Sequence, residues 1–528
     1  MGRLIGTSTQ YSFLPGHNFQ NSYTYDAASN RTSLTAPDGS TNTYQYDTLN
    51  RLATLTNSLT GQFGFGYDAL SRRTQLTRPN GINTNYSYDS VSRLLSVLHQ
   101  AGSTTLDGAS YGYDYAGNRT SKTNYLNGIT SNYGYDAIYE LLQVTQGGGT
   151  TESYSYDAVG NRLSSSGVPS YSYNMSNELT SNSNGSYTYD ADGNTLTDPS
   201  GKSYSWDFEN RLASAVVPGT GTVTFKYDPF GRRIYKSSPN FAGIFVYDGY
   251  NLIETTNTTG GVIADHTQTQ NIDEPLAESR SGGVSFYEAD GSITSLSSSS
   301  GSIANTYTYD SFGNVTNSTG TLSNPFRYTG REFDSETGAY YYRARYYEPS
   351  NGRFMSEDPT NFAGGINFYA YVGNSPLVWT DPQGLCPQSR RLNPAQCRAA
   401  QTLLNRERRY GTTIAAWQSA IGFGDNTVLP FNSSNTPPIN TPVGPIKIDW
   451  YTDIQLSGPS LTGVGNTVTY VGGKLIWTGL RLATRAPITN YLPFTDSSER
   501  NTLFNTLSPF SHYSDIFTPQ FMKENCGQ

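Results

Sequence analysis

Tyr23-Thr24-Tyr25-Asp26-Ala27-Ala28-Ser29-Asn30-Arg31 is the stretch on which the reading of this chain turns. Two tyrosines two residues apart suit a strand, which places both rings on one face and Thr24 and Asp26 on the other. Asp26 then marks a turn, because its carboxylate can bond nearby backbone N–H groups. Three residues beyond the equivalent acid, later copies carry Asn50, Ser71, Gly117 or Gly160, which tolerate positive φ. An arginine follows, at Arg31, Arg51, Arg72, Arg93, Arg119 and Arg162. There a guanidinium could reach the turn aspartate or stack on a neighbouring tyrosine. Half a period later a second turn signal recurs as Pro37-Asp38-Gly39, Thr60-Gly61, Pro79-Asn80-Gly81 and Asn127-Gly128, so each unit reads as a β-hairpin.

Twelve copies of the tyrosine-aspartate motif end at Asp26, Asp47, Asp68, Asp89, Asp114, Asp136, Asp157, Asn174, Asp190, Asp207, Asp228 and Asp248. One hairpin cannot bury its aromatic face, but stacked hairpins build a continuous sheet with tyrosine ladders. Two strands per copy give about 24 strands, or ~115 Å of sheet at ~4.8 Å per strand. Natural twist and the need to hide edges favour a spiral or shell over a flat sheet. Between Asp248 and Tyr307 the period lapses. This stretch, with the serine-rich run Ser295–Gly301, is expected to form irregular strands with a flexible insert.

Composition agrees with many short strands. Only 35% of the 528 residues are hydrophobic and 14% charged, too few for a packed helical enzyme, while 42 tyrosines and 13% aromatic residues argue against disorder. The net charge of −8 divides unevenly: the residues from Cys386 onward carry +4 and those before it −12. An acidic body disfavours nucleic acid lying along it. All three cysteines, Cys386, Cys397 and Cys526, lie in the basic tail, so no disulfide framework holds the body. No stretch has the ~18 apolar residues of a membrane helix, and the opening Met1–Phe13 lacks the apolar core of a signal peptide. Because Met1 leads almost directly into repeat-like sequence, an N-terminally truncated version of a longer product is expected.

The repeats resume at Tyr307–Asn314 and run into PFRYTGREFDSETGAYYYRARYYEPSNGRFMSEDPTNFAGGINFYAYVGNSPLVWTDPQGL, from Pro325 to Leu385. This segment closely resembles the RHS-associated core, with its YTGRE, DxETGLYYxRARYYDPxxGRF, GGxNxYxYxxNxP and DPxGL blocks. The chain from about 20 to 385 resembles the RHS/YD-repeat family as a whole. The resemblance implies a mainly β fold, a cocoon-like shell of hairpins over 1–306, closed by a core at 307–385 and followed by a small α+β domain at 386–528.

It also implies chemistry. In that family the chain is cut autocatalytically after the Leu of DPxGL, which here is the Leu385–Cys386 bond. Asp381 in the terminal motif and Asp358 in the Glu-Asp-Pro block would be the paired acids. Two carboxylates sharing a desolvated site can divide the work, one ionised to activate water and one protonated to polarise the carbonyl. Either Arg353 or Arg345 could set the charge balance of the pair. The family's RYYDP is Arg345-Tyr346-Tyr347-Glu348-Pro349 here, which keeps a carboxylate. Its DPxG is Asp358-Pro359-Thr360-Asn361, which removes a turn glycine. Read without the surrounding core, Asp-Pro and Pro-x-Gly are ordinary turn formers.

After Leu385 the composition breaks. Asn393-Pro394 opens a helical pattern running to about Ala420, with Arg406, Arg408 and Arg409 reading best as a solvated face. A Pro/Asn/Ser-rich connector leads to strand-like runs at 446–456 and 466–479, the second with Gly472-Gly473 as a hairpin turn. His512, with Asp515 three residues on, is the one histidine of the tail and its weak catalytic candidate. The cysteines lack zinc spacing, and neither a metal nor a cofactor is expected.

The leading expectation is a secreted or cell-surface carrier of polymorphic-toxin type that encapsulates its own C-terminal domain and cuts it loose. Its implied partners are that cargo, an immunity protein and secretion machinery, with nucleic acid only as a target of the tail. The alternative is a structural, adhesive or glycan-binding repeat protein with an inactive tail. The tyrosine and arginine rows themselves read first as core packing and hairpin capping.

Overall fold

The computed structural model describes residues 2–360 and 366–385 in full and, beyond them, the backbone of short strand segments between 388 and 475. The chain divides into two compact units, Met1–Gln388 and Ser389–Gln528. In the first unit, sequence neighbours pair antiparallel throughout. A 15-stranded sheet runs from Gly6–Thr9 to Arg162–Ser165, and a short three-stranded sheet follows over Tyr171–Ser186. A 14-stranded sheet then runs from Thr188–Tyr189 to Val315–Thr319, and a four-stranded sheet spans Glu332–Phe354.

The turn chemistry explains this order. Oδ1 of Asp47 accepts the backbone N–H of Leu49 at 2.9 Å and of Arg51 at 3.0 Å, closing the turn on itself. The residue three beyond each acid takes the left-handed conformation: φ is 58° at Asn50, 61° at Ser71, 95° at Gly117 and 80° at Gly160. Tyr139, at 71°, occupies the same place without the small side chain.

Each repeat is then tied to the one before it. The last tyrosine of the motif donates its hydroxyl to a backbone carbonyl of the preceding hairpin: Tyr46 to Arg31 at 2.8 Å, Tyr67 to Leu52 at 3.0 Å, Tyr88 to Arg73 at 2.9 Å. These hydroxyls are spent on packing. The arginines fall into two classes by parity along the strand. Those four residues after the acid, such as Arg51, Arg72 and Arg93, pair with their own turn aspartate at 2.6–2.7 Å and lie over Tyr67, Tyr88 and Tyr113 of the next repeat. Those five residues after it point to the other face. Arg31 reaches Asp248 at 2.6 Å, and Arg233 is buried against Glu332 and Asp334.

The two large sheets lie face to face over part of their length. Arg31, at one end of its strand, meets Asp248, while Asp38, beyond the other end, reaches Glu254 and Asp265. Between them Leu34, Tyr44, Leu55, Phe63 and Leu76 of the first sheet pack on Ile244, Val246, Leu276 and Phe286 of the second. The aromatic faces are therefore buried against each other in this region.

The expected irregular insert between Asp248 and Tyr307 is instead regular sheet. Strands Asn251–Thr256, Val262–Gln268, Pro275–Arg280, Gly283–Ala289 and Ile293–Ser298 follow one another without a break, and Ser295 and Ser297 are fully buried. Their hydroxyls explain the composition: Ser295 donates to Asp107 at 2.6 Å and Ser297 to Glu288 at 2.7 Å. Ser295 and Ser297 are buried polar partners, while Ser299 and Ser300 form the exposed turn to the next strand.

In the second unit, strand Tyr470–Val471 pairs with Lys474–Leu475, bracketing Gly472-Gly473. The helix expected over 394–420 lies outside the described residues, as do Cys386, Cys397, Cys526, His512 and Asp515. Among the described residues, no helix is long and apolar enough to cross a membrane.

Candidate functional site

The four-stranded sheet positions the acids. Its strands Ala339–Tyr342 and Arg345–Glu348 are joined by a two-residue turn at Arg343-Ala344, with Arg343 at φ 61°. Residues 381–385 lie along that turn and are fastened nearly residue by residue. Arg343 donates to the Pro382 carbonyl, Ala344 N–H to Gln383 at 3.1 Å, and Arg345 Nε to Gly384 at 2.5 Å. Asp381 then folds back so that its Oδ1 accepts the Leu385 N–H at 3.0 Å. A side chain at Gly384 would not fit: a Cβ there would stand 2.3 Å from the Tyr342 carbonyl oxygen, and φ is 67°.

Arg345 Nη2 lies 2.8 Å from Asp358 Oδ2 and 3.3 Å from Asp381 Oδ2, so both carboxylates share one nitrogen. All three side chains are at least 96% buried. The guanidinium rests on the Phe354 ring, 3.6 Å from its centroid, and donates through Nη1 to the Phe368 carbonyl at 2.9 Å. Burial pushes Asp381 up to about 6 against the opposing pull of Arg345, and the nearby Asp358 charge adds to the rise. Asp358 Oδ1 accepts both the Thr360 N–H at 2.8 Å and the Thr360 hydroxyl at 2.6 Å. The same hydroxyl lies 3.5 Å from the Leu385 carbonyl oxygen, which belongs to the bond expected to break.

Arg353 is elsewhere, and strand parity is the reason. Tyr347 pairs with Phe354 and Glu348 with Arg353, so Phe354 shares the face of Arg345 and Arg353 takes the opposite one. Arg353 there stacks on Tyr369 at 4.6 Å and Tyr173 at 5.1 Å and donates to the Asn177 carbonyl. Three contributors escape sequence reasoning: Phe354, Thr360 and Gly384. Phe354 could have been found by counting parity across the hairpin, and Gly384 by its place in the DPxGL block. Thr360 fills the variable position of the DPxG block, so nothing in the pattern points to it.

The arrangement offers a desolvated carboxyl pair, one guanidinium and a hydroxyl beside a fastened backbone carbonyl, which is sufficient equipment for acid–base chemistry on a peptide bond. Comparisons with known proteins bear on the fold and the family of the chain. The chain is 34% identical over 255 residues to the tRNA3(Ser)-specific nuclease WapA of Bacillus spizizenii, covering 45% of this chain and 11% of that protein. It is 51% identical over 61 residues to the toxin subunit YenC2 of Yersinia entomophaga, covering 12% of this chain and 6% of that protein. The chain thus spans about a tenth or less of these relatives. Its fold matches the crystal structure of TcdB2-TccC3-Cdc42 with a TM-score of 0.61 at 22% identity, over 70% of this chain and 22% of that one. The RHS repeat model matches residues 25–62 and 46–84, and the teneurin YD-shell model matches 101–377, just over half of the sequence. The chain belongs to the teneurin YD-shell family and carries RHS repeats.

Proposed function

We propose that this chain is a shell-type toxin carrier that cuts its own backbone between Leu385 and Cys386 and so releases residues 386–528 as an effector. One observation carries the reading: Asp358 and Asp381, 23 residues apart in sequence, share Arg345 Nη2 beside a segment whose last fastened residue is Leu385.

In the proposed reaction a water attacks the Leu385 carbonyl carbon while the Asp358 carboxylate takes its proton. Asp381, whose proton affinity burial raises to about 6, stands at the Leu385 N–H and in its protonated form supplies the proton that the departing Cys386 amine needs. The Thr360 hydroxyl can turn from Asp358 to the carbonyl oxygen as negative charge builds there. Arg345 keeps one negative charge in this buried place compensated. The names of the relatives, a toxin subunit and a tRNA nuclease, support the carrier role, a secreted or cell-surface setting, and the tail as cargo.

Intact-mass analysis and a denaturing gel of the purified full chain test the cutting step. Fragments 1–385 and 386–528 are expected from the wild type, and only full-length chain from Asp358→Asn and Asp381→Asn. A wild type that stays whole removes the step. Cys386→Ala should still be cut, since water rather than the thiol is the nucleophile. Because the raised proton affinity of Asp381 favours its protonated form below about 6, the cleavage rate should fall as pH rises through that value. A rate that climbs through the same range would exchange the roles of the two acids.

A further inference from the structure

Away from the core segment, three carboxylates meet between the two large sheets. Asp38 sits in the exposed Pro37-Asp38-Gly39 turn of the first sheet, while Glu254 and Asp265 lie directly opposite each other on neighbouring strands of the second. One oxygen from each falls within 4.8 Å of the others. Like charges facing across a strand pair repel, and here a third is added. No Lys or Arg among the described residues forms an ion pair with any of them.

The second observation is what these carboxylates lack. Glu254 is 2% exposed, yet its Oε2 has no hydrogen-bond partner, and neither has the buried Oδ1 of Asp265. A buried anionic oxygen with nothing to bind costs several kcal/mol unless a proton or a cation meets it. Burial and the neighbouring acids push both Glu254 and Asp265 up to about 7, which expresses the same unmet demand for positive charge.

We propose that Asp38, Glu254 and Asp265 form a calcium site that clamps the first sheet to the second. An all-oxygen donor set selects a hard cation over zinc or copper. Calcium takes 6–8 oxygens at about 2.3–2.6 Å in flexible geometry, whereas magnesium demands a near-ideal octahedron and gives up its waters reluctantly. Three carboxylates brought together from three separate segments suit the more tolerant ion. Water completes the sphere from the exposed Asp38 side. A clamp of this kind joins residues more than 200 positions apart in sequence, so it stabilises the pairing of sheets rather than any single hairpin.

Calorimetric titration and thermal melting of the EDTA-treated full chain test this. CaCl2 at about 5 mM, enough for a site of the weak extracellular class, should raise the wild-type Tm by a few degrees over matched NaCl and raise it less when MgCl2 replaces it. Asp38→Asn is the informative variant, because Asp38 is exposed and an asparagine oxygen retains its bond to the Ser40 N–H. This variant and Asp265→Asn should keep at least the wild-type Tm in EDTA, lose the calcium-dependent rise, and bind calcium at least tenfold more weakly. The proposal is overturned by a wild type indifferent to CaCl2, by an equal rise in both variants, or by an equal rise with MgCl2. A Tm that responds to acidification below pH 7 but not to calcium also overturns it, with shared protons in place of the ion.

Discussion

Strands Thr41–Tyr46 and Asn251–Thr256 are the same length and belong to successive hairpins of two similar sheets, yet they meet opposite surroundings. In TNTYQY, Asn42 and Tyr44 are buried and Thr43 and Gln45 exposed, whereas all six residues of NLIETT are buried. The first sheet has one face on its neighbour and one in water. The middle of the second is covered on both sides: Ile244 and Val246 pack on the first sheet, while Phe245 and Tyr247 pack with Phe326 from the core segment. A strand with two covered faces has no reason to alternate. The loss of the period after Asp248 thus marks a change of environment, with the hairpin meander unbroken.

The largest test of that contrast is Arg233, which sits where the second sheet meets the core. Its guanidinium pairs with Glu332 at 2.7 Å and Asp334 at 2.5 Å and lies over Tyr341. Truncation to alanine strands the buried Glu332 and leaves Asp334 with Lys236 alone, so Arg233→Ala should cost about 3–5 kcal/mol in chemical denaturation. A cost near zero would mean that the core segment is not seated on the second sheet as described.

How much of this could be read beforehand follows from the same contrast. In the one-faced region local chemistry decides the structure: Asp47 closes its own turn and Asn50 takes the left-handed φ, so hairpin order is visible residue by residue. The two candidate acids were visible too, through the DPxGL and Glu-Asp-Pro blocks. The choice of Arg345 over Arg353 required knowing which hairpin they share, because parity is defined only across a pairing register. Face-to-face seating of the sheets, and with it the meeting of Asp38 with Glu254 and Asp265, depends on contacts about 220 residues apart that no local pattern encodes.

A smaller effect separates buried serine from solvent-facing serine. Ser297 donates to Glu288, a carboxyl with no exposure whose proton affinity is raised by burial to about 7. Ser297→Ala leaves that acceptor wanting and should cost about 1–3 kcal/mol. Ser87, whose hydroxyl meets Ser96 at 2.6 Å on the exposed face of the first sheet, is the matched control. Its alanine variant should be nearly neutral, and equal losses at the two sites would erase the distinction between one-faced and two-faced strands.

The smallest effect belongs to the rim. Arg72 and Arg73 are adjacent and chemically identical, but parity sends Arg72 to its own turn at Asp68, 2.7 Å away, and Arg73 across to Glu274 at the other sheet. A partly exposed pair within one turn contributes little, because Asp68 keeps the backbone N–H groups of Leu70 and of residue 72 when the guanidinium is gone. Arg72→Ala should therefore leave the denaturation midpoint at the wild-type value within error, while Arg73→Ala moves it measurably downward, since Glu274 then loses the cation that holds its carboxyl below the ordinary range against burial. If the two neighbours behaved alike, the inward and outward arginines of every repeat would be one class, and the alternation on which the sheet pairing rests would have no energetic content.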